Sequence, residues 1–277
     1  MITDWDDAYA NGANIAGAEA YPQQWSAAAL AFRTSMLARA RARLDVKYGP
    51  LERQTLDLFM PEANSRGLVM FVHGGYWKAF DKSVWSHLAA GAVASQWSVA
   101  IPSYTLAPQA RLADIATEIE TALAYAASFV EGPIRLAGHS AGGQLVTRIA
   151  CSNSGLLPKT QSRITHILSI SGVHDLRPLL KTAMNETLRL DKAEAQSQSP
   201  ALLEPAEGTS LTCWVGAKER PEFLRQNDLL ANIWLGLGAK TRFVHQADCH
   251  HFDVIADLEQ PKSPIVAALT GTDRWCA

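Results

Sequence analysis

Seven short apolar runs punctuate the chain: QTLDLFM, GLVMFV, WSVAIPS, IRLAG, THILSIS, LTCWV and TRFVHQ. Each has the length of a strand, and most are near-continuously hydrophobic, as expected of strands covered on both faces. Between them lie longer stretches with helical spacing, such as RLADIATEIETALAYAASFV and PEFLRQNDLLANIWLGL. The second opens with Pro221 at a first-turn position, where a missing N–H costs nothing. An Ala-, Leu- and Arg-rich segment from Trp25 to Leu44 reads as an amphipathic helix. This alternation predicts an α/β architecture, a mostly parallel sheet flanked by helices with right-handed crossovers. Ligands in such sheets bind beyond the carboxyl ends of the strands, so the chemistry is expected just after each one.

Composition narrows the partners more than the fold. The 277 residues are 48% apolar and carry a formal net charge of −2. That suits one large domain over residues 1–277, with residues 1–45 as an N-terminal extension and helix. Charges of both signs are interspersed, which argues against nucleic acid. No apolar run approaches a bilayer span, and MITDWDDAYANG is too acidic and polar for a secretory signal. Cys151, Cys213, Cys249 and Cys276 are scattered without paired spacing, which reads as reduced thiols in a cytoplasmic protein. A small-molecule substrate is the expected partner, with no membrane involved.

Candidate chemistry begins after IRLAG, where Gly138-His139-Ser140-Ala141-Gly142 fits a Gly-x-Ser-x-Gly elbow between a strand and a helical pattern. Small neighbours are needed there, because the serine sits on a sharp, strained turn with its hydroxyl pushed into the cleft. An ordinary Gly-rich turn capping a helix would look the same over five residues, and the strand–turn–helix context favours the nucleophile. Such a serine needs a base. His139 and His73 read as structural, as do His87, His166, His174 and His245, which lie within or beside predicted elements. Cys249-His250-His251-Phe252 follows the last strand, where α/β-hydrolase topology, with its chain order Ser, acid, His, places the base. Spacing leaves both His250 and His251 open and favours His251. The Cys-His-His cluster lacks a second group with metal spacing, so no metal is assigned. A carboxylate must orient the imidazole. Glu219, just past LTCWV, is preferred over Glu222, which a helix dipole explains, and over the flanking Asp248 and Asp253.

The stretch MFVHGGYWKAFDKS then acquires a purpose. Acyl transfer builds negative charge on the carbonyl oxygen, to be met by preorganised N–H groups. Ala141, after the nucleophile, supplies one, and the His-Gly-Gly loop supplies Gly75 and Tyr76. The rings of Tyr76 and Trp77 are expected as substrate-binding walls, with core packing as the competing reading.

Several of these pieces together resemble the serine-hydrolase type of kynurenine formamidase (arylformamidase), within the α/β-hydrolase fold. They are His73-Gly-Gly-Tyr-Trp77, the Gly138–Gly143 elbow, Ser171-Gly-Val-His-Asp-Leu-Arg-Pro178, the Thr182–Pro200 run, Pro221-Glu-Phe-Leu-Arg-Gln226 and His251-Phe-Asp253. They span roughly the last three-quarters of the chain. The elbow is generic, whereas HGGYW with PEFLRQ and HFD is specific to this group and its bacterial esterase-like relatives. The resemblance independently puts the base at His251. It implies hydrolysis of a small aryl formamide through an acyl-enzyme, no metal or organic cofactor, and compatibility with a homodimer. Glu219 departs from the aspartate of that family, which puts the exact substrate in doubt more than the mechanism. A carboxylesterase acting on small acyl esters fits the same motifs, and a non-catalytic binding protein fits them poorly. Residues 177–203 are expected to form a small helical cap, and the Asp-rich N-terminus to reach back toward the cleft.

Overall fold

The computed structural model describes residues 2–272. Eight strands form one sheet: β1 Ala42–Lys47, β2 Thr55–Phe59, β3 Leu68–Val72, β4 Ser98–Pro102, β5 Ile134–His139, β6 Ile164–Ile170, β7 Ser210–Gly216 and β8 Lys240–Gln246. The spatial order is β1-β2-β4-β3-β5-β6-β7-β8. The first two strands run antiparallel to their neighbours, and every pair from β4–β3 onward is parallel. β3 and β4 are buried at every position, which is why their sequences are unbroken apolar runs. The helices are α1 Trp5–Tyr9, α2 Tyr21–Ala38, α3 Ala90–Ala94, α4 Leu112–Ala127, α5 Ala141–Arg148, α6 Pro158–Gln161, α7 Asn185–Leu188, α8 Lys192–Ser197, α9 Pro221–Gly236 and α10 Pro264–Thr270. Two apolar cores, one on each sheet face, separate them.

The seven strands and two long helices expected from the hydrophobic pattern are present with ends shifted by a residue or a few. One expectation fails. The helix placed over Trp25–Leu44 runs instead from Tyr21 to Ala38, and Ala42–Lys47 is the edge strand β1. Ala40 sits at φ 54°, which breaks the helix. Beyond it Ala42, Leu44 and Val46 are half-buried while Arg43, Asp45 and Lys47 face out, a period of two. The unpaired edge of β2 recruits this segment, and tertiary pairing overrides helix-forming composition.

Residues 177–203 fold as short helical turns, including α7 and α8. Among the described residues Cys151, Cys213 and Cys249 are free, and Cys276 lies outside them. No helix among the described residues is long and apolar enough to cross a membrane.

The sheet's centre carries the tightest constraint. A Cβ on Gly142 would lie 1.9 Å from the carbonyl oxygen of Val72, and one on Gly138 would lie 2.2 Å from the oxygen of Gly142. The elbow is thus wedged between β5 and β3 with no room for a side chain. Gly142→Ala is expected to cost about 2–4 kcal/mol through overpacking against backbone. Urea denaturation of the variant checks this, and an unchanged midpoint would refute the wedge.

Candidate active site

Ser140 occupies the turn between β5 and α5 at φ 56° and ψ −116°. That left-handed conformation is costly for a residue with a Cβ. Its N–H bonds the Ile170 carbonyl at 2.8 Å, tying the turn to the end of β6. The serine is buried yet lines a cavity of about 600 Å³.

His251, from the loop after β8, lines the same cavity, and its Nδ1 lies 2.6 Å from Glu219 Oε2. A carboxylate oxygen only accepts, so Nδ1 carries the proton and donates, leaving Nε2 with its lone pair. Glu219 is itself fixed: Oε1 accepts from Ser171 Oγ at 2.5 Å and from the Gly216 amide at 2.9 Å. The neighbouring histidine turns away. His250 Nδ1 accepts from the Phe252 amide, and its Nε2 meets the Tyr21 hydroxyl at 3.2 Å. Glu219 thus pairs with His251 rather than His250, and Ser140 lines the same cavity as that ring. The other carboxylates are engaged elsewhere: Asp248 pairs with Lys218 at 2.8 Å, and Asp253 accepts from the His250 amide at 2.7 Å.

His139 supports this arrangement from behind. Its Nε2–H donates to the His251 carbonyl at 2.9 Å, and the two rings stand 4.7 Å apart. Burial, and then the nearby His251 charge, hold His139 well below the usual histidine range. His73 braces the next loop as expected, donating from Nδ1 to the Gly74 carbonyl at 2.8 Å and stacking on Tyr104 at 4.5 Å.

That loop carries three successive left-handed residues, Gly75 at φ 110°, Tyr76 at 49° and Trp77 at 55°. A Cβ on Gly74 would come within 3.0 Å of Ser140 Cβ, so this backbone presses directly on the nucleophile's turn. Gly75 and Tyr76 line the cavity. Among the described residues, no protein acceptor meets the amides of Gly75, Tyr76 or Ala141.

Trp77 corrects the sequence reading. It is fully buried in the core, with Nε1 donating to Gln144 Oε1 at 2.9 Å, and it does not line the cavity. The aromatic walls come instead from Tyr9, Trp25, Phe80, Trp85 and Phe252, beside Tyr76. The sequence reading missed these, because the walls assemble from segments remote in sequence. Tyr9 and Trp25 belong to the N-terminal segment, which does reach back over the cleft, while the 177–203 segment contributes Met184.

The PEFLRQ motif explains how that segment is held. Glu222 Oε1 accepts from the Tyr9 hydroxyl at 2.7 Å, and Gln226 Nε2 donates to the same hydroxyl at 3.1 Å. Gln226 Oε1 also accepts the amides of His174 and Asp175, fixing the loop after β6. Phe223, between them, packs edge-on against Tyr9 at 5.9 Å and against the His251 ring at 4.6 Å.

Residues 69–211 match the family model of the alpha/beta hydrolase fold, and the chain belongs to that family. It is a hydrolase of the α/β class, similar to the kynurenine formamidases and to esterases. It is 28% identical to the kynurenine formamidase of Danio rerio, over 78% of this chain and 76% of that one. The Drosophila melanogaster kynurenine formamidase is 28% identical over 76% and 75%. A crystal structure from a Silicibacter species, described provisionally as a thioesterase, is 46% identical with a TM-score of 0.92, covering 96% of this chain and 99% of that chain. A hyperthermophilic esterase from Pyrobaculum calidifontis shares the fold, at a TM-score of 0.69, 16% identity and coverage of 92% and 93%.

Several histidines of this site and its surroundings are buried and desolvated, which couples folding to pH. Burial lowers His73 and His87 to about 4 and His174 to about 3, from an ordinary 6.5. Between these values the unfolded chain binds protons that the folded chain refuses. Stability is therefore fully present above about pH 6.5 and is lost as pH falls toward 4, each histidine contributing up to about 1.4 kcal/mol per pH unit. Denaturation midpoints at pH 7, 6 and 5 should fall in that order, and a flat profile would contradict neutral burial.

Proposed function

We propose that this chain is a serine hydrolase that cleaves small aryl formamides of the N-formylkynurenine kind to formate and an aromatic amine. The observation carrying this reading is the cavity, where Ser140 and His251 open onto a space walled by Tyr9, Trp25, Phe80, Trp85 and Phe252. Flat apolar walls of that kind suit an aryl group. The similarity to kynurenine formamidases supports the same assignment.

In this mechanism Ser140 Oγ attacks the formyl carbon while His251 Nε2 takes its proton. Glu219 holds the imidazole in the required tautomer and stabilises its charged form. The amides of Gly75, Tyr76 and Ala141 meet the oxyanion. His251 then hands the proton to the leaving nitrogen, the C–N bond breaks, and the amine departs. Water, activated by the same histidine, attacks the formyl-enzyme to release formate and restore the serine.

A second reading keeps the site and changes the substrate to a small acyl ester or thioester. The Silicibacter relative, by its provisional description, favours it. Both readings pass through the same tetrahedral oxyanion, so kinetics must choose. We expect hydrolysis of N-formylkynurenine with a kcat/KM of about 10⁴ M⁻¹s⁻¹ or more, abolished in Ser140→Ala. Glu219→Gln should lower kcat by about 10³–10⁴-fold by spoiling the tautomer. A nitrophenyl ester or acyl thioester turned over by an enzyme inert toward the formamide would transfer the assignment to the second reading.

A further inference from the structure

One side chain in the cavity is neither part of the proposed triad nor part of its oxyanion amides. Asn11 lines the cavity and is only 5% exposed, in the turn that follows α1. Its Nδ2 lies 3.3 Å from the Tyr76 hydroxyl. That hydroxyl lies 2.5 Å from the Tyr9 carbonyl, which can only accept, so the single Tyr76 proton points there. Burial raises the Tyr76 pKa, which keeps that proton in place. Tyr76 can therefore only accept from Asn11, and this fixes the amide orientation with Nδ2 toward Tyr76. Oδ1 is left buried without a partner among the described residues. An orphaned buried acceptor is costly, and in a residue that lines the cavity a small turn of the amide would let a donor on the ligand pair it.

We propose that Asn11 Oδ1 is a specificity-determining acceptor for the N–H of the scissile amide. This inference rests on the formamide reading above and extends it to the choice between amide and ester. A secondary formamide brings one N–H on its leaving atom, whereas an ester or a tertiary formamide brings none. Accepting that N–H orients the leaving nitrogen, so that the lone pair released as amide resonance is lost can take the proton carried by His251. An ester in the same cavity leaves the Asn11 oxygen unpaired, and sites built to bond an N–H discriminate against ligands lacking it. The same asparagine braces Tyr76 in the oxyanion loop, so the leaving-group contact and the oxyanion amide share one support.

The test compares formanilide, N-methylformanilide and phenyl formate as substrates of the wild type, Asn11→Leu and Tyr76→Phe. Asn11→Leu should lower kcat/KM for formanilide by about 10–100-fold more than for the two substrates without an N–H, whose smaller fall should match that of Tyr76→Phe. Tyr76→Phe removes the brace but keeps Oδ1, so its losses should be equal across the three substrates. A uniform fall in Asn11→Leu, or a formanilide-selective fall in Tyr76→Phe, would show that bracing alone is the role and overturn the proposal. Should Asn11→Leu fail to fold, the wild type decides: equal preference for the two formamides, each scaled to its hydroxide-catalysed rate, overturns it, and a preference of about tenfold or more for formanilide supports it. Wild-type enzyme that hydrolyses phenyl formate but neither formamide would sink the formamide reading and this inference with it, whereas formanilide turnover with uniform loss sinks the inference alone.

Discussion

Everything near the cleft depends on holding one serine in a conformation it disfavours. A residue with a Cβ at φ 56° costs on the order of 1–3 kcal/mol, and only surrounding packing keeps it there. The packing is supplied by backbone against backbone, with Gly138 and Gly142 stacked so closely that neither has room for a methyl group. Because the wedge reaches the oxygen of Val72, the end of β3 is pressed against the start of α5. The loop leaving β3 therefore has to pass within van der Waals contact of Ser140, and it does so through Gly74. The closeness of the nucleophile to the unpaired amides of Gly75 and Tyr76 is a consequence of that contact. Strain at the serine and preorganisation of the proposed oxyanion site share one cause.

A second support comes from far away in sequence. The first two turns of α9 extend Glu222 and Gln226, four residues apart and so on one helical face, toward the Tyr9 hydroxyl. Glu222 is fully buried and needs its partner Arg225, whose two nitrogens lie 2.7 and 2.8 Å from its oxygens. A buried carboxylate stripped of such partners is strongly destabilising. The N-terminal segment, which forms much of the cavity wall, is in this way bound by charge-assisted hydrogen bonds to the helix that begins two residues after Glu219. Phe223, on the intervening position, turns to the His251 ring. Cavity shape and imidazole position are thus set by consecutive residues of one helix.

How much of this could be read from the chain follows from where each signal is local. The sheet was legible because β3, β4 and β5 are buried on both faces and their sequences show it. Ser140 was legible because a strained turn demands small neighbours within two residues. The edge strand β1 was misread, since Arg41–Lys47 has helix-forming composition and only its pairing with β2 overrides that. Trp77 was misplaced because the loop's left-handed run rotates it under the sheet end, toward Gln144, and no pattern reports a rotation. Tyr9, Asn11, Trp25 and Trp85 went unassigned as cavity residues because their meeting is a tertiary event. The PEFLRQ motif was seen as a resemblance, but its work, clamping a segment more than two hundred residues earlier, has no trace in local periodicity.

The choice between His250 and His251 illustrates the limit most clearly, and its resolution says why glutamate serves here. Adjacent residues on a loop point in diverging directions, so one of the pair had to face away, and spacing alone only leaned toward His251, which the resemblance also indicated. His250 is captured by Tyr21 of α2 and by the Phe252 amide, which turns its neighbour toward β7. There Glu219 uses its two oxygens for different tasks. Oε1 is tethered by Ser171 and Gly216 at the ends of β6 and β7, while Oε2 reaches His251. The longer side chain spans both tasks, where an aspartate on the same backbone would fall short by a methylene of reaching His251 with its tether intact. The carboxylate is thus anchored through one oxygen and left to meet the imidazole with the other.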